Sequence, residues 1–561
     1  MKVLKYITTL ILVAFFVSCT SDFEEINTDP TNISTEEASA KYFLTGVQFK
    51  LYGPDRYPYW RAQLIHADRF AGHFTFGFNG SWWDDGLAYT YDPAYTDAAW
   101  DWLAGFFGGL NNFRNLTGVG GDFENDKMYA VGQIISGLYF QMYTDTFGQI
   151  PYTQAFDPNV LSPAFDDQVT IYRGIITELN EAMATIGDAT TTGTGIEDLG
   201  VNDIYCGGDL QKWKRLANTL KLRIAMRAYG APGENFAQAA ITEALNAPLL
   251  ESDILMEKDN VISQWASAAY GDVWHNFAPS GSRWKVSKPL LDYLKNYDDP
   301  RLSKYAKPAV GGTVTWTRPN AGDNPEGNEN FDKRVDFIVQ TLTDAGANPV
   351  VEDNGDEVTV TVEGGHYIGQ PVRLNGFIYP FVSNEFFSEP ADVIVNAKGG
   401  DNISSEIVFT SAEAYFLQAE AAVKGLGSGN AQSLFEMGIS QAMKMWEVND
   451  GEIASYLANA DLAHLTGTPE EQLEKIAIQR WLASYTDGFE AWAVVRKSGY
   501  PASLAAGVTD ADIYAMGDIN GAYPMRMQYG NAVKSENPNN YQGAVSAQGP
   551  DKQDVALWWA Q

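Results

Sequence analysis

The chain has 561 residues and a net charge of −33, with 38 Lys and Arg against 71 Asp and Glu. Nucleic-acid binding and direct adhesion to anionic lipid both demand basic surface, so neither is expected. Core material is plentiful at 45% hydrophobic and 13% aromatic, and the length allows several domains or one large helical domain with insertions.

Lys2 and Lys5 precede an apolar run from Ile7 to Val17. About 20 residues are needed to cross the hydrocarbon core as a helix, so this run is too short. A positive start, a brief apolar stretch and the small residue Ser18 describe a secretory signal over residues 1–18. Phe16-Val17-Ser18-Cys19 resembles a bacterial lipobox, although Phe16 departs from the usual Leu. That resemblance implies lipidation of Cys19, with residues 19–35 as a tether; an ordinary signal with an incidental cysteine is the alternative. No later stretch reaches 18 consecutive apolar residues. Cys206, the other cysteine, lies in "DIYCGGDLQKW" without a partner for a disulfide, and reads as a small buried or semi-buried residue.

Residues 36–561 read as one mostly α domain, with helix pairs joined by long, aromatic-rich loops and a minor β-hairpin insertion. Periodicity predicts helices over about 95–117, 124–144, 169–186, 211–229, 233–246, 286–297, 410–424, 430–446 and 468–486. The 211–229 segment places Trp213, Leu216, Ala217, Leu220 and Ile224 on one stripe. "NPVVEDNGDEVTVTVEGG" predicts a hairpin turning at Asn354-Gly355. Its acids Asp353, Asp356 and Glu357 lack the full spacing of a calcium loop and read as a solvated tip. Residues 308–334, rich in Gly, Pro and Asn, read as a surface excursion. Thr410 and Glu413 stand at capping-box spacing, as do Thr468 and Glu471, the latter with Pro469 in the first turn. Helices 410–424 and 430–446, joined by "GLGSGN", predict a helical hairpin of loosely tetratricopeptide-like pattern without a strict period.

Catalytic motifs are missing. The five histidines form no pair around a glutamate, and there is no phosphate-cradling glycine loop and no serine elbow. No enzymatic activity, metal or cofactor is expected. Aromatic density stands out instead, with 17 aromatic residues between Tyr52 and Phe107. Trp82 and Trp83 sit there in "FNGSWWDDG", flanked by Asn79 and Asp84, among loop-forming residues. A second cluster holds Trp265, Tyr270, Trp274, Arg283 and Trp284 ahead of a helix. Flat apolar faces beside hydrogen-bonding side chains suit sugars, whose C–H faces stack on rings while hydroxyls pair with Asp, Asn and Arg. Both clusters are therefore candidate ligand contacts. Trp100, Trp102, Phe106 and Phe107 stand at helical spacing and are expected in the core.

Several segments together resemble the SusD/RagB superfamily of Bacteroidetes outer-membrane lipoproteins, in its SusD-like branch. They are Cys19 with "INTDPTN", "KWKRLANTLKLRIAMRA", "SKPLLDYLKNYDDPRLSKYAKP", "YIGQP", "VFTSAEAYFLQAEAAVKGL", "LEKIAIQRWLASYTDGFEAWAVVRKSGYP" and the terminal "NPNNYQGAVSAQGPDKQDVALWWAQ". The resemblance implies a tetratricopeptide-like scaffold whose loops bind ligand. It implies a lid for a SusC-type TonB-dependent transporter that takes up glycans or, in some relatives, oligopeptides. It implies an outer-membrane location, lipid-anchored and facing the cell exterior. Trp82 and Trp83 occupy a loop where such proteins carry a ligand-stacking aromatic. Asp22, Glu24 and Glu25 resemble a surface-export signal of such lipoproteins, with a solvated tether as the alternative.

Overall fold

The computed structural model describes residues 38–53, 59–75, 89–257, 284–319, 325–394 and 404–561. The 1–18 signal, the 19–35 tether and Cys19 lie outside these residues. Short polar side chains set where many helices begin. After α1 (Lys41–Tyr52), Asp92 accepts from the Ala94 N–H at 2.8 Å and opens α2 (Pro93–Thr117). Pro93 sits in the first turn, where its missing N–H leaves nothing unsatisfied. Asn125, Asp167 and Asp209 likewise cap α3 (Asp126–Phe147), α4 (Gln168–Ile186) and α5 (Leu210–Ala228). There follow α6 (Ala237–Leu245), α7 (Lys288–Asn296), α8 (Pro325–Asp344), α9 (Ser411–Val423) and α10 (Ala431–Met445). The last long helices are α11 (Asp450–Asn459), α12 (Pro469–Ala483), α13 (Gly488–Ser498) and α14 (Pro538–Gln548).

The structure is mostly α, and each helix expected from periodicity is present within a few residues. Trp213, Leu216, Ala217, Leu220 and Ile224 are all fully buried on α5, as their stripe requires. Trp100, Trp102 and Phe106 are buried in the main core and Phe107 packs against it. Cys206 is buried. α9 and α10 form the expected hairpin, in which Gly438 approaches Phe416 so closely that an added Cβ would lie 2.6 Å from its ring.

The two expected capping boxes differ. At Thr468 the box is complete: its side chain accepts from the Glu471 N–H at 3.3 Å, and the Glu471 carboxylate accepts from the Thr468 N–H at 2.7 Å. At Thr410 only half forms, with the hydroxyl accepting from the Glu413 N–H at 3.1 Å. The Glu413 carboxylate turns inward to Arg223 on α5, taking its Nε–H at 2.8 Å and a second N–H from the same guanidinium. A bidentate charged pair outweighs one backbone cap.

That pair belongs to a buried ionic network joining five helices. Arg227 on α5 binds Asp145 of α3 and Glu490 of α13, while Arg480 of α12 binds Glu420 of α9 at 3.0 Å. Burial alone would raise the Glu490 carboxyl, but Arg223 and Arg227 hold it below the ordinary range. The Arg223 guanidinium also stacks 3.7 Å above the Phe409 ring.

Strands are few and short. β1 (Phe74–Thr75) pairs with β5 (Lys285–Val286), β2 (Ile150–Pro151) with β3 (Phe165–Asp166), and β4 (Ile254–Met256) with β9 (Glu406–Phe409), all antiparallel. The expected hairpin, β7 (Val350–Asp353) and β8 (Glu357–Val362), is one part of a three-stranded sheet with β8 in the middle. Its third strand, β6 (Gly312–Thr317), and the start of α8 fall inside 308–334, which is therefore more than a surface excursion. The turn sits one residue later than expected. Asn354 N–H donates to the Glu357 carbonyl at 3.1 Å, leaving Gly355 and Asp356 at the tip, and Gly355 takes φ +92°. Arg318 clamps this end, reaching Asp353 at 2.9 Å, Asp332 at 2.8 Å and the Gly355 carbonyl at 2.7 Å. β7 is an edge strand, exposed along its whole length.

Candidate ligand-binding site

The candidate site is built from the β1–β5 ladder upward. Its register sets Phe74 opposite Val286 and Thr75 opposite Lys285. The strands run antiparallel, so the chain leaves Thr75 toward 76–88 at the same end where it arrives from 258–283 into Trp284 and Lys285. The two aromatic-rich segments are thus rooted side by side, though far apart in sequence. Asn79, Trp82, Trp83 and Asp84 in the first, and Trp265, Tyr270, Trp274 and Arg283 in the second, lie outside the described residues.

Trp284 is described, and it corrects the sequence reading. It is fully buried in the main core, so its ring anchors the root and is not offered to a ligand.

The ladder rests on a firm base. Val286 N–H donates to the Ser388 carbonyl at 3.1 Å, and Gln370 N–H donates back to the Val286 carbonyl at 3.0 Å. Ser287 N–H donates to the His73 carbonyl at 3.1 Å, while the Ser287 side chain caps α7 and also reaches the Gly72 carbonyl. Lys285 is wholly buried, and its ammonium pairs with Glu389 at 2.8 Å. Below lies an aromatic floor, with Tyr485 ring centroids 5.1 Å from Phe74 and 5.5 Å from His73. Trp481 Nε1 donates to the Ala71 carbonyl at 2.7 Å.

The far end of 76–88 is pinned as well. Tyr89 is buried, with the Arg373 guanidinium 4.0 Å from its ring and that of Arg69 at 5.2 Å. Asp518 N–H donates to the Tyr89 carbonyl at 2.9 Å, and Gly517 leaves the room: a Cβ there would sit 2.3 Å from that oxygen. Arg373 fixes the opposite segment by donating to the Ala515, Met516, Gly521 and Ala522 carbonyls.

The two histidines near the base are held in a single tautomer or a neutral form by their surroundings. His73 Nε2 lies 3.2 Å from the Trp481 carbonyl, which can only accept, so the proton is on Nε2. Burial pushes the His73 pKa down to about 3 and that of His66 to about 4, leaving both rings neutral. Among the described residues no group of three or more His, Cys, Asp or Glu could hold a metal, and no helix is long and apolar enough to cross a membrane.

Both aromatic segments are legible in the sequence, but their shared root is not, since two-residue strands carry no periodicity. Tyr89 and Arg373 are not legible either, their only signal being a tyrosine closing an aromatic stretch.

The chain matches a known family. The SusD-like family, described as "Starch-binding associating with outer membrane", matches residues 78–317 and 335–530, well over half of the chain. The chain belongs to this family, whose members associate with the outer membrane. Among solved structures it is similar to a chitin-binding protein, at 22% identity and a TM-score of 0.70 over 93% of this chain and 100% of that one. It is also similar to a SusD-like protein from Bacteroides thetaiotaomicron (22% identity, TM-score 0.68, 93% and 98% covered). A chitin-binding SusD homolog from Flavobacterium johnsoniae shows 21% identity and a TM-score of 0.67, with 93% and 97% covered. No curated protein matches the sequence.

Proposed function

We propose that this chain is a non-catalytic glycan-binding lipoprotein of the outer membrane that serves as the lid of a SusC-type TonB-dependent transporter in nutrient uptake. One observation carries the glycan reading: the Thr75–Lys285 pairing roots both tryptophan-bearing segments at one point. In this reading Trp82 and Trp83 stack on sugar rings from one side and Trp265, Tyr270 and Trp274 from the other. Asn79, Asp84 and Arg283 take up hydroxyls. The family's starch-binding description and the chitin-binding relatives support a glycan over an oligopeptide, which is the second reading for a lid of this kind. Cys19, placed behind the Ile7–Val17 run, carries the lipid that anchors the protein, facing the cell exterior.

The test is isothermal titration against a polysaccharide panel that includes starch and chitin oligosaccharides. Saturable binding by the wild type and its loss in the Trp82→Ala, Trp83→Ala double variant are expected. Peptides co-purifying with the transporter complex in native mass spectrometry, with no glycan binding, would overturn the reading.

A further inference from the structure

Between α5, α9, α12 and α13 lies a cavity of about 220 Å³. A cavity of about 150 Å³ already takes a benzene-sized molecule, so this one has room for a single ring or a short chain. Its apolar lining comes from Leu417, Leu473, Ile476 and Val494. From the same helices Lys424, Arg480 and Lys497 reach it beside the carboxylates Glu420 and Glu470, in a chain that is strongly acidic as a whole.

Those three cations meet their carboxylate partners unequally. Lys424 donates to Glu420 at 2.7 Å, and Arg480 donates to the same carboxylate at 3.0 Å. Arg480 also reaches Glu413 at 3.5 Å and Glu490 at 3.4 Å, but Arg223 and Arg227 hold those two more closely. The buried Nε–H of Arg480 has no hydrogen-bond partner. Lys497 donates only to the Tyr229 and Trp559 carbonyls, at 3.2 and 2.9 Å, and among the described residues no carboxylate lies at ion-pair distance from it. Burial, and then the neighbouring Lys424 charge, bring the Lys497 ammonium down to about 8. Lys497 is thus the cation of this lining that no carboxylate among the described residues meets directly. At the rim Glu470 is engaged by the Tyr500 hydroxyl at 3.2 Å.

We infer that this cavity is a binding site for a small organic monoanion: a carboxylate on an apolar body the size of one ring. Its charge faces Lys497, Lys424 and Arg480, and its body lies on Leu473 and Ile476. The site sits inside the helix layer and shares no residue with the β1–β5 root, so a glycan and this anion occupy different places.

Benzoate is the probe, with benzyl alcohol as its uncharged counterpart, each titrated calorimetrically into the full-length protein. Benzoate is expected to bind saturably, at least about tenfold tighter than benzyl alcohol, because a tenfold ratio is the least a single buried charge contact provides. Lys424→Met and Lys497→Met are each expected to weaken benzoate by at least about tenfold, and Lys497→Arg to restore it. Lys497→Met also removes two hydrogen bonds to carbonyls, so its fold is checked by circular dichroism; Lys424→Met loses only its link to Glu420 and carries the test if the first variant unfolds. At pH 8, titrations in two buffers of different ionisation enthalpy should show proton uptake, since a bound anion raises the Lys497 pKa. Absence of saturable benzoate binding, equal binding of benzyl alcohol, or an unchanged affinity in Lys424→Met overturns the inference.

Discussion

Thr75 and Lys285 face one another as direct partners at the end of the β1–β5 ladder, and both side chains are buried. Two segments leaving one root are expected to contact one ligand jointly, so their contributions should be coupled. A double-mutant cycle of Trp83→Ala and Trp274→Ala, read by titration with the best-binding oligosaccharide, should give an interaction energy of about 0.5–1 kcal/mol or more. Strict additivity would assign the two segments to separate ligands.

Glu413 sits where a cap would need it but pairs with Arg223 inside the network. Glu413→Leu leaves Arg223 a buried cation with a weaker partner, Glu490 at 3.6 Å, and should cost about 3–5 kcal/mol in urea unfolding. Arg223→Met combined with Glu413→Leu should recover most of that loss, because two apolar groups remove the uncompensated charge. A double variant as unstable as the single one would show that the network matters for more than charge balance.

Asp487 opens α13, its carboxylate accepting from the Glu490 N–H at 3.2 Å. Burial first, and then the Glu490 charge, push its carboxyl up to about 7, while Arg223 opposes the rise. The folded state therefore keeps a proton that the unfolded chain releases above about pH 4, so stability declines from there to about pH 7 and then levels off. Asp487→Asn retains a capping side chain and removes the decline. At pH 8 it should be more stable by up to about 4 kcal/mol, taking about 1.36 kcal/mol per pKa unit, with little difference near pH 4. Thermal midpoints measured from pH 4 to 8 check this, and parallel curves for the two proteins would count against it.

Gly438 leaves the Phe416 ring no room for a methyl group. Gly438→Ala should cost roughly 1–3 kcal/mol through overpacking, despite alanine's better helix propensity. Adding Phe416→Leu should return part of it, measured by chemical denaturation. A stabilised Gly438→Ala protein would mean that the α9–α10 hairpin opens easily.

The helical frame was legible because its signals are local. Asp, Asn and Thr caps, Pro in first turns and a 3.6-residue stripe each occupy a few neighbouring residues, and α2 through α5 follow from them. α8 was hidden because it begins inside a Gly- and Asn-rich stretch. The ionic network was invisible for another reason: Asp145, Glu413 and Glu490 are three acids among 71, and nothing local marks a carboxylate for burial. Glu413 was misread because its spacing satisfies the capping pattern while a distant arginine takes the side chain. Trp284 shared its composition with its loop neighbours, and only the ladder distinguishes a root from a contact.

The outer edge of β7 bears on how copies of this protein share a crowded membrane. An open strand edge with exposed Val350 and Val351 is a template for pairing with a second molecule. On this edge the valines are followed at once by Glu352 and Asp353. An antiparallel copy in register would set acid against acid or strand a carboxylate over valine, and like charges across a ladder repel. Arg318, which neutralises Asp353, is already committed within its own chain. The hairpin thus deters its own polymerisation.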